Sequence, residues 1–470
     1  MRSLLVPVAL LAILPFASTL QAQGESGGSV PDLQTPGAQI TANARWVYVL
    51  LDGQLHQFDA ETLELKRTVP IPRAGTPAVL TGALPGIAAG AAADSATIPN
   101  GAEAIAAGLK WLRDHQHASG RWSSAGFWER DPKIRAAIGR DVAPRRASEI
   151  AGAGSPVHDV ATTSIALLAM LADGSTMTVG PNKDSITKGV EWLTAQQDPD
   201  TGLVGARAAH DYIYDHAIAT VALCEAGGLS GNRRVLSIAQ KAVDYLEYHR
   251  NPYSVWRYEP KSGENDTSIT GWCTLALVSA NFFDLNVNPS ALQLAMAWID
   301  EMTDPTTGRT GYLERGGRSS RKPGDHTSRF PRDANETMTA VGLITRIFAT
   351  SALDEPFDTW SDSKKAGLNL SANLVAEHPP VWDQQNGTVD FIGWYFGTYA
   401  MFQLGGERWT NWNRAVSTAL LQGQRDEPGF AGSWDPAGPW GPDGGRVMST
   451  ALATLTLQAN YRFTRLVRDR

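Results

Sequence analysis

From about residue 100 onward the chain alternates two kinds of helical segment, and that alternation limits its fold more than any other feature. One kind is amphipathic and covers 101–116, 183–197, 236–250, 291–303, 362–378 and 409–424. The other is apolar on every side and covers 157–172, 212–226, 267–283, 336–350, 391–404 and 447–462. An amphipathic helix has one stripe to bury, whereas an all-apolar helix must be covered all round. Six alternations therefore predict an all-α fold with two concentric rings, the apolar helices inside. An open superhelix fits the same alternation, but no polar capping repeat closes either end, so the pattern favours a single (α/α)6 toroid over 100–470. At roughly 150 residues per domain the length would suggest about three domains. The repeats organise most of it as one.

The first hundred residues are different. Residues 1–23 carry Arg2, an apolar run from Leu4 to Phe16 and then small polar residues, the layout of a secretory signal peptide cleaved near Ala22. This predicts export, to a periplasm or the outside. Residues 24–44 read as a flexible tether and 73–99 as a linker rich in Ala, Gly and Pro. Between them, 45–72 is a small β segment in which two β-rich runs meet at Asp52-Gly53, a hairpin signal, and a third follows from Leu63 to Ile71. A formal charge of 41 minus 48, or −7, leaves no global footprint for nucleic acid. Cys224 and Cys273 lie in apolar helical runs and read as free buried thiols.

The joints between segments carry a resemblance. Gly108-Leu-Lys-Trp-Leu-Arg-Asp-His-Gln116, followed by Gly120 and Trp122, resembles the QW repeat of squalene cyclases and related terpenoid cyclases. Lys188-Gly-Val-Glu-Trp192-Leu-Thr-Ala-Gln-Gln197 with Gly202 repeats it, and weaker copies are Tyr245-Leu246 with Trp256, Trp298-Ile299 with Gly308 and Tyr312, and Gln424 with Gly429, Gly432 and Trp434. The resemblance implies the toroid shared by terpenoid cyclases, protein prenyltransferase β subunits and complement thioester domains. It does not extend to activity. The chain has no Asp-x-Asp-Asp acid motif and no Cys-Gly-Glu-Gln, and Asp266 and Cys273 are too far apart for the prenyltransferase zinc pattern. The Gln, Gly and Trp of the joints read as structural staples.

If the six inner helices run in one direction, their amino-terminal ends meet at one mouth. Those ends carry His158-Asp159, Asp215-His216, Asp266-Thr-Ser268, Asn335-Glu336-Thr337, Asp390 and Arg446. Each Asp also reads as a helix cap. Asp215 beside His216, flanked by Tyr212 and Tyr214, is the expected acid/base pair, with Asp266 as an auxiliary catalytic carboxylate. His158, Asp159, Tyr212, Trp272, Trp394, Tyr395 and Arg446 are the expected ligand-binding residues, the aromatic ones lining an apolar funnel. Two basic stretches, 130–146 with Lys133, Arg135, Arg140 and Arg145, and 315–332 with Arg318, Arg321, Lys322, His326 and Arg329, are expected at the same mouth, with 316–324 as a lid. Zinc held by His158, His216, Cys224 and Cys273 has no local ligand spacing behind it, so no metal and no cofactor is expected.

The function expected is capture, and acid/base transformation, of an isoprenoid or other lipid: a small hydrophobic or anionic ligand in the central funnel. A non-catalytic envelope scaffold that meets a protein partner through the β segment is the alternative. A carbohydrate-active (α/α)6 enzyme is the third reading.

Overall fold

The computed structural model describes residues 39–42, 46–51, 54–59, 62, 65–70, 101–139, 141–322, 325–355 and 357–459, with backbone alone for the strands. The predicted signal peptide and the 73–99 linker lie outside the described residues. Two compact units divide the chain, Met1–Val79 and Leu80–Arg470.

In the first unit β1 (Gln39–Ala42), β2 (Trp46–Leu51), β3 (Gln54–Asp59) and β4 (Leu65–Pro70) form an antiparallel sheet in sequence order. Leu51 pairs with Gln54, as the Asp52-Gly53 signal predicts. β1 corrects the tether assignment: Ile40 and Thr41, too short a run to signal a strand alone, pair with Val49 and Tyr48.

Among the described residues the second unit has twelve long helices: α1 (Gly101–Asp114), α2 (Asp159–Ala172), α3 (Lys183–Ala195), α4 (Tyr212–Leu229), α5 (Arg233–His249), α6 (Thr267–Phe282), α7 (Pro289–Met302), α8 (Thr337–Ala352), α9 (Asp362–Ala376), α10 (Phe391–Leu404), α11 (Gly406–Gly423) and α12 (Gly441–Leu457). The even helices pack in a ring, α2 on α4, then α6, α8, α10 and α12, and α12 returns to α2. Each odd helix lies outside the gap between two even ones, and α1 covers the closing gap between α12 and α2. Every residue of α2 is buried, whereas α1 buries only a stripe running from Ala104 to Leu112. α12 is broken at Gly445, whose φ of 63° is left-handed, so its regular part starts at Arg446.

The joints show what the Gln, Gly and Trp do. The Gln116 amide donates to Gly120 O (2.7 Å) in its own loop and to Ser185 O (2.9 Å) in α3. Gln197 reaches Gly202 O and Ile238 O of α5 in the same way, and Gln424 reaches Gly432 O and Ala104 O of α1. The last of these ties the loop after α11 back to α1. Trp122, Trp256 and Trp434 are fully buried and donate Nε1–H to the last-turn carbonyls of Leu112, Leu246 and Leu420. Gly202 is required here: its φ is +81°, and a Cβ would stand 2.2 Å from Lys241 O.

The first basic stretch holds two short helices. Pro132–Ile138 and Pro144–Ala151 are short helices, the first capped by Asp131, which accepts from Lys133 N (2.6 Å) and Ile134 N (3.1 Å). Pro at a first-turn position starts each of them and glycine ends each of them, signals that the charge pattern obscured.

Candidate functional site

The amino-terminal ends of the six inner helices surround one central cavity of about 570 Å³. At its mouth stand His158, Asp215, Ser268, Thr337 and Asp443, with Arg318, Arg321, Lys322 and Arg332 from the 315–332 loop. Farther along the same helices the wall is Ile165, Ile218, Trp272, Met448 and Leu452. At a rise of 1.5 Å per residue, Ile165 lies about 9 Å below Asp159 along α2. The cavity is thus polar at the helix ends and apolar beneath.

A histidine–carboxylate pair forms there, between helices rather than along one. His158 ends the one-turn segment Pro156–His158 before α2, and its Nδ1–H donates to Asp215 Oδ2 at 3.1 Å, on the first turn of α4. Asp215 Oδ1 also accepts from Ala161 N at 3.3 Å. Burial opposes charge on the His158 ring, but the Asp215 carboxylate outweighs it, and the histidine pKa is raised. Burial raises the pKa of Asp215, and its bond to His158 recovers part of that. Nε2 of His158 has no protein hydrogen bond among the described residues.

The predicted pairing of Asp215 with His216 is corrected. Consecutive helical residues point about 100° apart and do not face each other. His216 is fully buried away from the cavity, its Nδ1 accepting from Val204 N (3.0 Å) and its Nε2–H donating to Ala242 O (3.0 Å). Burial drives its pKa down to about 3, so it is a neutral strut between α4 and its outer neighbours. With both ring nitrogens engaged it has no lone pair for zinc, and no metal-ligating cluster occurs among the described residues.

Other expected ligand contacts also sit behind the wall. Asp159 accepts from Ser124 N and Ser124 Oγ, both at 2.8 Å, and pins the loop that precedes α2. Tyr212 bonds Tyr245 at 3.1 Å between α4 and α5. Arg446 is buried, donating to Ala151 O (2.7 Å) and Ser433 Oγ (2.9 Å), pairing with Asp435 and lying over Phe430, so it braces loops instead of holding an anion. Trp394 packs among Trp382 and Phe391, and Tyr395 stacks on the back of Trp272, the one expected aromatic that lines the cavity. Asp266 caps α6, accepting from Ile269 N at 2.8 Å, and stands just outside the wall. The described cations of 130–146 do not line the cavity; of 315–332, Arg318, Arg321, Lys322 and Arg332 do, whereas Arg315, His326 and Arg329 do not. That second loop is tied down: Lys322 pairs with Asp443 (2.5 Å), and His326 accepts from Lys322 N and donates to Pro439 O.

The chain is an (α/α)6 toroid. No protein-family model and no curated protein matches its sequence. Among solved structures it is similar to cellobiose 2-epimerase from Spirochaeta thermophila, at 12% identity over 78% of this chain and 99% of that one with a TM-score of 0.47. A sugar epimerase from a ruminal bacterium is similar at 12% identity, 75% and 98% coverage and TM-score 0.46, and an alpha-amylase from Clostridium perfringens at 10%, 76% and 97%, and 0.44. The resemblance of the joints to squalene cyclases holds as far as the toroid, which the closed ring of inner helices shows.

Sequence reasoning missed Tyr258, Tyr312 and Trp440, all in the wall, with the Tyr258 and Tyr312 hydroxyls 2.8 Å apart. Their signal was position: Tyr258 and Tyr312 follow successive outer helices in loops that lead to inner ones. The loops after α3, α5, α7 and α11 all contribute residues to the wall.

Proposed function

We propose that the central cavity binds an amphiphile, a ligand with a polar or anionic head and an isoprenoid-like apolar body, and that His158 with Asp215 serves as its acid/base pair. The observation that carries this is the division of the wall. Cationic and carboxylate side chains occupy the helix ends, and Ile165, Ile218, Trp272 and Leu452 occupy the depth. A buried apolar wall rewards hydrocarbon and leaves sugar hydroxyls without partners. His158 presents Nε2 while Asp215 holds Nδ1, the arrangement by which a carboxylate orients and charges an imidazole for proton transfer. Export, as expected from residues 1–23, would put this activity in the cell envelope or outside.

The test uses the full chain and geranylgeraniol as probe, read by quenching of tryptophan fluorescence, since Trp272 and Trp440 line the cavity. Ile218→Glu should weaken binding by about tenfold to a hundredfold, the cost of losing one buried aliphatic group. His158→Gln should leave binding close to wild type. Geranylgeraniol that fails to bind, with cellobiose binding in its place, would overturn the reading.

One observation favours a carbohydrate-active enzyme as the second reading: Tyr258, Tyr312 and Trp440 stand with the carboxylates Asp211, Asp215 and Glu314 in the wall. Aromatic faces and paired carboxylates suit sugar rings and glycosidic bonds.

A further inference from the structure

We propose that Asp266 is the inner terminus of a proton relay that serves the cavity through two hydroxyl chains, Tyr312 to Tyr258 and Ser268 to Tyr214. This rests on the central cavity being the ligand site. Asp266 itself is fully buried and does not line the cavity, whereas all four hydroxyl residues do.

Each carboxyl oxygen has its own chain. Ser268 Oγ–H donates to Oδ1 at 3.0 Å, and the Tyr214 hydroxyl is hydrogen-bonded to Ser268. Tyr312 O–H donates to Oδ2 at 3.4 Å, and Tyr258 is 2.8 Å from Tyr312. A helix cap uses only one oxygen, and Ile269 N–H already supplies that bond at Oδ1. The second chain is therefore surplus to capping. Asp390, which caps α10, shows the contrast. Its Oδ2 is held by Asn335 Nδ2 (3.2 Å) and Thr337 Oγ1 (3.0 Å) and faces Arg321 at 3.6 Å, with no phenol attached among the described residues.

The surroundings suit proton storage. The groups facing Asp266 are Arg257, with Nε at 4.0 Å, the phenols of Tyr214, Tyr258 and Tyr312, and the Cys273 thiol. Burial pushes the phenols and the thiol upward, so all are neutral at working pH, and a phenol that keeps its proton can pass one along by exchange. Only Arg257 offers a full charge. Burial dominates, and the Asp266 carboxyl is pushed up to about 6.

The step balances without another reactant. A ligand X–H bond breaks and its proton goes to the Tyr258 oxygen; Tyr258 passes its own proton to Tyr312, and Tyr312 passes its own to Asp266 Oδ2. The electron pair stays on X, and Asp266 ends as a neutral carboxylic acid. The reverse sequence protonates the ligand.

The experiment needs no ligand, so its failure and a failure of geranylgeraniol binding are separate results. The full chain is jumped from about pH 7.5 to about pH 5, across the range of a raised carboxyl. Protonation of Asp266 is followed by time-resolved infrared at the carboxylic C=O band, assigned by its loss in Asp266→Asn. In the double variant Tyr214→Phe with Tyr258→Phe, protonation should slow by about a hundredfold, the scale on which positioned proton transfer acts. Its midpoint should stay close to wild type. Ser268→Ala with Tyr312→Phe cuts the same chains at their other members and should slow it equally. Unchanged rates in both double variants, or no Asp266 band appearing over this range, would overturn the relay.

Discussion

Asp215→Asn tests the histidine–carboxylate pair directly. The substitution keeps side-chain size and removes the charge that His158 meets at 3.1 Å, where the two side chains are only 14% and 7% exposed. His158 has a raised pKa in the fold. Its stabilising contribution is therefore complete below its ordinary value of about 6.5 and is lost as pH rises through the folded value. Asp215 also has a raised folded pKa, so keeping it ionised costs stability as pH rises through the carboxylate range. Wild type should thus lead Asp215→Asn most clearly near pH 6, when both partners are charged. The lead should shrink and then reverse near pH 9, where the buried carboxylate faces a neutral ring. Each unit by which the His158 pKa falls in the variant corresponds to about 1.4 kcal/mol of that lead. Urea denaturation at the two pH values, with the His158 Cε1–H resonance followed by NMR, measures both quantities. A His158 midpoint unchanged by the substitution, or a stability gap that does not vary with pH, would refute the reasoning.

Two further outcomes follow from the same geometry. His216→Ala strands Val204 N–H and Ala242 O and leaves a cavity, so it should cost about 3 kcal/mol. Because the folded ring stays neutral down to about 3 while the unfolded one takes up a proton below its ordinary value of about 6.5, that cost should be complete near pH 8 and smaller by about 2 kcal/mol at pH 5, and a cost that does not vary with pH would refute the burial of a neutral ring. Gln424→Ala removes the bonds to Gly432 O and Ala104 O that tie the ends of the toroid, and Gln197→Ala removes their counterparts at Gly202 O and Ile238 O. In a closed ring the two should lower stability by similar amounts, on the order of 1–3 kcal/mol. A negligible effect at Gln424, seen in chemical denaturation, would mean that closure contributes little.

Much of the fold was legible because burial leaves a periodic trace. α10 was read to its exact bounds, Phe391–Leu404, since a helix enclosed by neighbours has no polar face to blur its ends. The short helices of the first basic stretch were hidden by their exposed charges, and β1 by having only four residues. The site was less legible. Asp215, His158 and Trp272 were singled out and line the cavity, but Asp159, Tyr212, His216, Trp394 and Arg446 point into joints between helices. Sequence position names the turn on which a residue sits. It does not say which side of a six-fold ring that residue faces when every side is buried.

The sequence by itself determined the two rings, because alternating helix faces admit few other ways of covering six all-apolar segments. It also determined the joints, because glutamine, glycine and tryptophan recur where each outer helix ends. Only the tertiary structure decided the chemistry. Adjacent Asp215 and His216 diverge by about 100°, while His158, fifty-seven positions earlier, is brought to Asp215 by the packing of α2 on α4. Proton-transfer partners are chosen by distance in space, and in a ring of parallel inner helices the nearest residue lies on the neighbouring helix.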